Sequence, residues 1–404
     1  MSAQALAGIK VLEYGDFISA PYCSKLLGDL GAQVIKIEKP GLGDSSRSWG
    51  PFPEDLPHPE KSGLFLFLNT SKMGITLNVE SAAGRKIFRD LAGWADVLVE
   101  NNPPAEMDRL GFDYMSLNGD NPALIMTSIT RFGQDGPYRN YHGSALVDCY
   151  LAGIAYSNPA EGVEDTDHHA PLKTPLHSAE FMGAPGAAAG TMSAILARQR
   201  SGKGQHVDMS LQEAIASVGR TNISMYTVDG AEANRDRAKR ARAAGVLFAC
   251  KDGHVCMWMG PFWAALVKMV GNPDWANREP FDNPATRNRH SSECIKLIEE
   301  WTGQRTMAEV NRAAVIAGVP CSPVRTVKDV VEDEQLSSRN YFVEIDHPVA
   351  GKIKYPGAPY KLSGTPWNPI RPAPLLGQHN ESVYCDLLGY SKADMVRMRQ
   401  AGII

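Results

Sequence analysis

Hydrophobic and polar positions change period repeatedly along the first third of the chain, and each change marks an element. "GIKVLEYG" (8–15) is a short run rich in β-branched and aromatic residues that stops at a glycine, the pattern of a buried strand. "APYCSKLLGDLG" (20–31) follows with helical spacing, Pro21 in its first turn and Gly31 beyond its end. "AQVIKIEKPG" (32–41) is a second strand. Strand, helix and strand within about thirty residues make a β-α-β unit, the seed of a parallel sheet. The alternation then repeats. It gives strand "GITLNV" (74–79), helix "SAAGRKIFRDLAGWA" (81–95) with Ser81 as its cap, and strand "DVLVEN" (96–101). Short helix "PAEMDRLGF" (104–112) and buried strand "ALIMTSITRFG" (123–133) come next. Strands alternating with helices predict a doubly wound α/β domain.

Farther along, a long helix follows Glu180. "SGKGQHVDMSLQEA" (201–214) reads as a glycine-rich turn, a strand and another helix, with Ser210 and Glu213 forming a capping box. From about residue 230 the character shifts. "DGAEANRDRAKRARAAG" (229–245) is charged and reads as a solvated connector, and "VLFACKDGHVCMWM" (246–259) as a hairpin turning at Asp252-Gly253. "ECIKLIEEWTGQRTMAEVNRAAVIAGVPCSPV" (293–324) reads as two helices and a proline-rich exit. Strand-like pieces return at "YFVEIDHP" (341–348) and "GKIKYPGAPYKL" (351–362), and "YSKADMVRMRQAGI" (390–403) is a helix with Ser391 as its cap. The expected fold is α/β. Residues 1–225 form the first part of a discontinuous large domain, 226–325 a smaller α+β domain, and 326–404 return to complete the large one.

Composition narrows the function classes. The 404 residues fit two or three domains, and 43% hydrophobic with 21% charged residues is an ordinary globular balance. A net charge of −4 supplies no basic field for nucleic acid. The seven cysteines are scattered without a CxxC pair, which argues against a zinc site or a disulfide framework and for reduced thiols in the cytoplasm. "MSAQALAGIKVLEYGDF" (1–17) lacks the pattern of a signal peptide, and no run of 18 apolar residues occurs. Neither secretion nor membrane insertion is expected.

The β-α-β start invites a dinucleotide, which needs G-x-G-x-x-G so that backbone can approach a pyrophosphate. The loop here, "YGDFISAPY" (14–22), has one glycine. "GKGQ" (202–205) follows a helix, whereas a phosphate loop follows a strand. His168-His169 is an adjacent pair whose side chains diverge, so no metal is expected, and no G-x-S-x-G elbow occurs. What remains is a basic and amide set near strand ends: Lys36, Lys39, Asn69, Lys72, Asn101, Asn102, Arg109 and Arg131. Open α/β sheets bind ligands at those ends, and this set suits a long anion bearing phosphates. "LHSAEFMGAPGAAAG" (176–190) adds one carboxylate, Glu180, ahead of a helix start stripped of bulk. On its residues alone this is either a helix packed tightly on a neighbour or a reactive carboxylate that a large ligand approaches closely.

Six stretches, in order, resemble the class III CoA-transferases, the CaiB/BaiF family of formyl-CoA:oxalate and crotonobetainyl-CoA:carnitine enzymes. They are "GIKVLEYG" with "SAPYCSKLLGDLGAQVIKIEKPGLGD" (8–44), "NTSKMGITLNV" (69–79), "DVLVENNPPAEMDRLGF" (96–112), "TSITRFGQDGPY" (127–138), "SAEFMGAPGAAAGTMSAILARQRSGKGQHVDMSLQEA" (178–214) and "PVRTVKDVVEDEQLSSRNYF" (323–342). The resemblance implies a Rossmann-like large domain with a parallel sheet and an interlocked homodimer. It also implies an active site between large and small domains at the dimer interface. Acyl-CoA and a carboxylic acid would be substrates, with no tightly bound cofactor. Carried over by position, Lys39 and Arg109 would meet the CoA phosphates. Asn69, Lys72, Asn101 and Asn102 would line the nucleotide portion, with Ile18, Ser19 and Arg131 completing the CoA site.

Glu180 lies 22 residues before Gly202, where the family's nucleophilic aspartate falls. Glutamate adds a methylene, which extends the reach by roughly 1.5 Å. The neighbouring Gly and Ala residues would give the thioester room. Two alternatives stay open: a CoA-binding member without transferase activity, and an α-methylacyl-CoA racemase-like enzyme. The second lacks its acid–base partners, because the relevant stretch reads Gly143-Ser144-Ala145. His177 is either a base or a packed loop histidine, and Asp165 and Asp167 are the next candidate acids after Glu180.

Overall fold

The computed structural model describes residues 4–158, 168–232, 246–369 and 371–404. Most of the connector read at 229–245 lies outside the described residues, as do Asp165 and Asp167. The chain divides into two compact units: Met1–Ala155 with Lys173–Gly230 and Asn340–Ile404, and Tyr156–Leu172 with Ala231–Arg339. The sequence reading divides the chain at 225/226 and 325/326, whereas these units divide at 230/231 and 339/340. The excursion 156–172 is too short to mark the hydrophobic pattern.

The larger unit is built on six parallel strands: β1 Lys10–Tyr14, β2 Gln33–Glu38, β3 Lys72–Thr76, β4 Val97–Glu100, β5 Ile125–Thr130 and β6 His206–Ser210. Their order is β3-β2-β1-β4-β5-β6. Its helices are α1 Ser19–Gly28, α2 Gly63–Leu68, α3 Ala82–Trp94, α4 Pro104–Leu110, α5 Tyr114–Asp120, α6 Ala145–Leu151, α7 Ser178–Ser201, α8 Leu211–Val218 and α9 Arg220–Asp229. Successive strand residues face opposite ways, so Val11, Val34, Val97 and Val99 join one core with α1 and α7. Leu12, Ile35, Ile37 and Leu98 join the other with α3. Sequence caps explain several helix starts: Ser81 accepts the Gly84 N–H, and Asp113 accepts that of Ser116. The box expected at Ser210 and Glu213 is a single bond, Ser210 Oγ accepting the Glu213 N–H. Ser210 is also the last residue of β6, paired with Thr130, which keeps its backbone in the sheet.

Strand β3 is one of the sheet's two edges, and residues from the end of the chain cover it. The Thr76 N–H donates to Asn380 Oδ1 at 2.9 Å, the Tyr384 hydroxyl to Thr76 O at 2.6 Å, and the Asn78 N–H to Ile403 O at 2.7 Å. Such cover satisfies groups that would otherwise template pairing with another chain. Strands β10 (Phe342–His347) and β11 (Gly351–Pro356) form an antiparallel hairpin in this unit.

The smaller unit holds β7 (Val246–Cys250), β8 (Gly253–Met257) and β9 (Cys321–Pro323), antiparallel in that order. Helices Trp263–Met269, Ser291–Thr302 and Met307–Ala317 pack against them through Phe248, Val255, Leu266, Ile298 and Val310. The hairpin turns one residue earlier than expected. Cys250 pairs with Gly253, so Lys251 and Asp252 make the turn and Gly253 begins β8. Asp252 instead caps the next layer, its Oδ1 accepting the Met307 N–H at 2.7 Å.

Candidate active site

Strands β1 and β4 are neighbours in the sheet, yet the chain leaves them for opposite sides. Outside the carboxyl ends of such a pair an α/β sheet opens a crevice. Here the loops after β1 and β4 are tied together. Asn101 Nδ2 donates to Asp16 O at 2.7 Å and to Ser19 Oγ at 2.9 Å, while its Oδ1 accepts the Asp16 N–H at 2.8 Å. Asn102 Nδ2 donates to Tyr14 O at 2.8 Å. Gly15 permits this approach, since a Cβ there would stand 2.3 Å from that of Ala20 and 2.9 Å from Asn101 Oδ1. A cavity of about 200 Å³ opens at this point, lined by Ser19, Asn101, Asn102, Arg131, Arg139, Tyr141 and His142 among others. Four residues singled out in the sequence thus share one cavity.

Beneath the loops lies a buried charge network. Lys36 Nζ meets Glu13 Oε1 at 2.7 Å and Asp44 Oδ2 at 2.6 Å, and Lys72 Nζ meets Glu13 Oε2 at 2.7 Å and Asn69 Oδ1 at 2.8 Å. Two ammoniums face two carboxylates, the balance that a dry interior requires. Burial opposes the charge of Lys36, but the Asp44 and Glu13 carboxylates outweigh it and raise its pKa. Burial prevails at Lys72 and pushes it down to about 8. Asp44 Oδ1 in turn accepts the N–H of Phe17, a residue held at a positive φ of 66°. Lys36, Asn69 and Lys72 therefore sit at 0% exposure with their polar atoms turned inward. Ile18 is likewise fully buried. These side chains shape the loop from below and offer no open face.

Lys39 and Arg109 are on the surface. Arg109 pairs with Glu80 at 2.6 Å and with Glu106 at 2.5 Å.

Glu180 is the third residue of α7, inside the helix and not ahead of it, because the helix begins at Ser178. Its first-turn position is favourable for an anion. It is 2% exposed. Its Oε1 accepts from Arg131 Nη2 at 2.8 Å, and its Oε2 has no partner among the described residues. Arg131, just past β5, also donates from Nη1 to Asp148 Oδ2 at 2.5 Å. Asp148 is fully buried in α6. Burial, against the pull of Arg131, pushes Asp148 up to about 6, and the charge of Glu180 adds to the rise. Arg131 is thus the wall between cavity and carboxylate, 28% exposed toward solvent and bonded to two acids behind.

The small residues of α7 have a packing reason. A Cβ on Gly183 would stand 2.3 Å from Leu211 Cδ2, on Gly186 3.0 Å from Met209 Cε, and on Gly190 2.9 Å from Val207 Cγ1. They let α7 lie close on α8 and β6, so the expectation that they give a thioester room gives way to close packing. His177 meets Phe17 and Trp49 edge to face at ring-centroid distances of 4.8 and 5.3 Å, as a packed loop histidine does. The sequence reading missed Asp148, whose only signal is a lone acid within the apolar run "ALVDCYL". Among the described residues no group of three or more His, Cys, Asp or Glu is placed to hold a metal ion, and no helix is long and apolar enough to cross a membrane.

Comparison with known proteins agrees with this architecture. The Streptomyces coelicolor formyl-CoA:oxalate CoA-transferase is 31% identical, with all of both chains covered. The enzyme of the same name from Rhodopseudomonas palustris strain BisB18 is 29% identical over 99% of this chain and 97% of its own. A crystal structure of a CaiB/BaiF family protein from Brucella suis superposes with a TM-score of 0.83 at 29% identity, covering 96% of this chain and 100% of that one. The family model described as CoA-transferase family III matches residues 6–380, and the chain is a member of that enzyme family.

Proposed function

We propose that this chain is an acyl-CoA:carboxylate CoA-transferase that works through covalent intermediates on Glu180. The observation that carries this is the state of its two oxygens. Arg131 fixes Oε1 and so orients the group, while Oε2 is buried with no hydrogen-bond partner among the described residues, so no donor ties up its lone pairs. A carboxylate is a weak nucleophile, and covalent catalysis divides one hard transfer into easier ones. Oε2 attacks the thioester carbonyl carbon, the C–S bond breaks, and CoA leaves as thiolate with the bonding pair. The thiolate then attacks the glutamyl carbonyl of the anhydride, releasing the donor acid as carboxylate. The acceptor carboxylate reverses these steps. It attacks the glutamyl thioester, expels the thiolate and is taken up by it, restoring Glu180. The curated relatives' names make formyl-CoA and oxalate the first pair to assay.

The cavity at Ser19, Asn101 and Asn102 receives the thioester end of CoA in this reading, and the surface cations Lys39 and Arg109 meet its phosphates. Asn69, Lys72 and Ile18 serve the same site from beneath. The working assembly is a homodimer. Helix α9 has no buried residue and exposes Ile223, Met225, Tyr226 and Val228 around its circumference, apolar surface that a second copy covers. Seven free cysteines suit a reducing cytoplasm. A second reading, a CoA-binding member without turnover, is favoured by the 2% exposure of Glu180.

Glu180→Gln keeps size and removes charge. CoA binding by calorimetry should survive while thioester exchange falls by several orders of magnitude, and Glu180→Asp should retain reduced activity. Hydroxylamine added during turnover should mark Glu180 in peptide mass spectra. Full exchange activity in Glu180→Gln would remove this residue as the nucleophile, and an inactive wild type with intact CoA binding would leave the second reading.

A further inference from the structure

Glu180, Arg131 and Asp148 form a group of two buried acids about one partly exposed base. With both acids ionised the group carries one excess negative charge. A free carboxylate arriving in the cavity meets Arg131 already saturated on that side, with a second anion behind it. Acylation changes the count. Once Glu180 is an anhydride or a thioester it is neutral, and Arg131 Nη2 loses the partner it held at 2.8 Å. Asp148 keeps Nη1, so the guanidinium stays aimed and one N–H edge becomes available on the residue that lines the cavity.

We propose that Arg131 is the carboxylate-recognition residue of this enzyme, handing its Nη2 edge from Glu180 to the free acid substrate each time Glu180 is acylated, with Asp148 as the positioning residue that holds it in place. The ligand class is a small carboxylate anion, and the donor acid is released past the same group that receives the acceptor. The hand-over gives the site an order. It binds a carboxylate weakly while Glu180 is charged and well when Glu180 is covalently occupied, so the acid does not block the empty enzyme. Burial sharpens the contrast, because charge interactions in a partly dry site are screened less than in water.

This inference rests on Glu180 as the nucleophile, and its test separates the two. Glu180→Gln mimics the neutral, acylated state. Oxalate affinity, measured by calorimetry on the full-length protein without CoA, should rise on the order of tenfold or more over wild type when this one buried negative charge is removed. Glu180→Asp retains the charge and should bind oxalate as weakly as wild type. Arg131→Gln placed in the Glu180→Gln background should abolish the gain, and Asp148→Asn there should reduce it. In otherwise wild-type enzyme, Arg131→Lys should raise KM for the acid by a larger factor than KM for acyl-CoA, and an equal rise in both would count against the hand-over. Loss of turnover in Glu180→Gln with unchanged oxalate affinity would overturn the hand-over alone. Turnover retained in Glu180→Gln would remove the nucleophile and the hand-over together.

Discussion

Glu100 illustrates how much one buried carboxyl can weigh. It ends β4 at 0% exposure, with Asn102, a cavity residue, donating its N–H at 2.7 Å. Burial pushes it up to about 7, more than the hydrogen bonds from Ser128 and Asn102 pull it down. The folded protein thus holds a proton there that the unfolded chain gives up near pH 4.5. The stability this group contributes is present below that pH and is lost as pH rises through 7. The gap corresponds to roughly 3 kcal/mol at most. Glu100→Gln cannot titrate, so its melting temperature should exceed that of wild type at pH 8 and match it near pH 5, as read by calorimetry across that range. Single residues were also where the sequence ran out. It brought Ser19, Asn101, Asn102 and Arg131 together because loops after parallel strands converge at the carboxyl ends of the sheet. It could not give side-chain direction, so Lys36 and Lys72 read as open cations. The partners of Arg131 come from α6 and α7, which meet only in three dimensions.

Elements were legible wherever local chemistry decides them. Ser81, Ser210 and Ser391 all cap helices at the expected positions, and Ser391 completes a box with Asp394. The hairpin of the smaller unit slid by one residue because cross-strand pairing, rather than the Asp-Gly signal, set its register. Helix α7 carries the clearest prediction at this scale. Gly183→Ala drives a methyl to within 2.3 Å of Leu211 Cδ2, one turn after Glu180. It should destabilise by about 1–3 kcal/mol, and it should lower turnover more than CoA affinity by shifting the carboxylate. Gly93→Ala, in helix α3 with nothing within 4 Å of the added carbon, is the control. It should stabilise by up to about 1 kcal/mol. Chemical denaturation of both variants checks the pair, and a stable, active Gly183→Ala would mean that α7 tolerates displacement.

At the scale of the whole molecule, the order β3-β2-β1-β4-β5-β6 explains why a chain with one glycine in its first loop still opens a site at β1 and β4. Topology makes the crevice, and the glycine motif only adapts it to a pyrophosphate. The exposed faces lead to an assembly prediction. Sedimentation at low micromolar concentration should give a dimer, and folded monomer should be scarce if the second copy covers α9. A stable, active monomer would refute the proposed assembly, and so would charged substitutions at Ile223 and Tyr226 that leave the sedimentation coefficient unchanged.

The cover on β3 bears on how the protein is made. The first six strands of the sheet are encoded before residue 211, but the groups that close its edge, Asn380, Tyr384 and Ile403, come near the end of the described chain. Any pairing of these strands during synthesis therefore precedes that cover by more than a hundred further residues, including the whole stretch 231–339. At ordinary translation rates of about 5–20 residues per second that interval lasts many seconds. During it the edge is available to chaperones, and on a crowded polysome to the same edge of the neighbouring nascent chain.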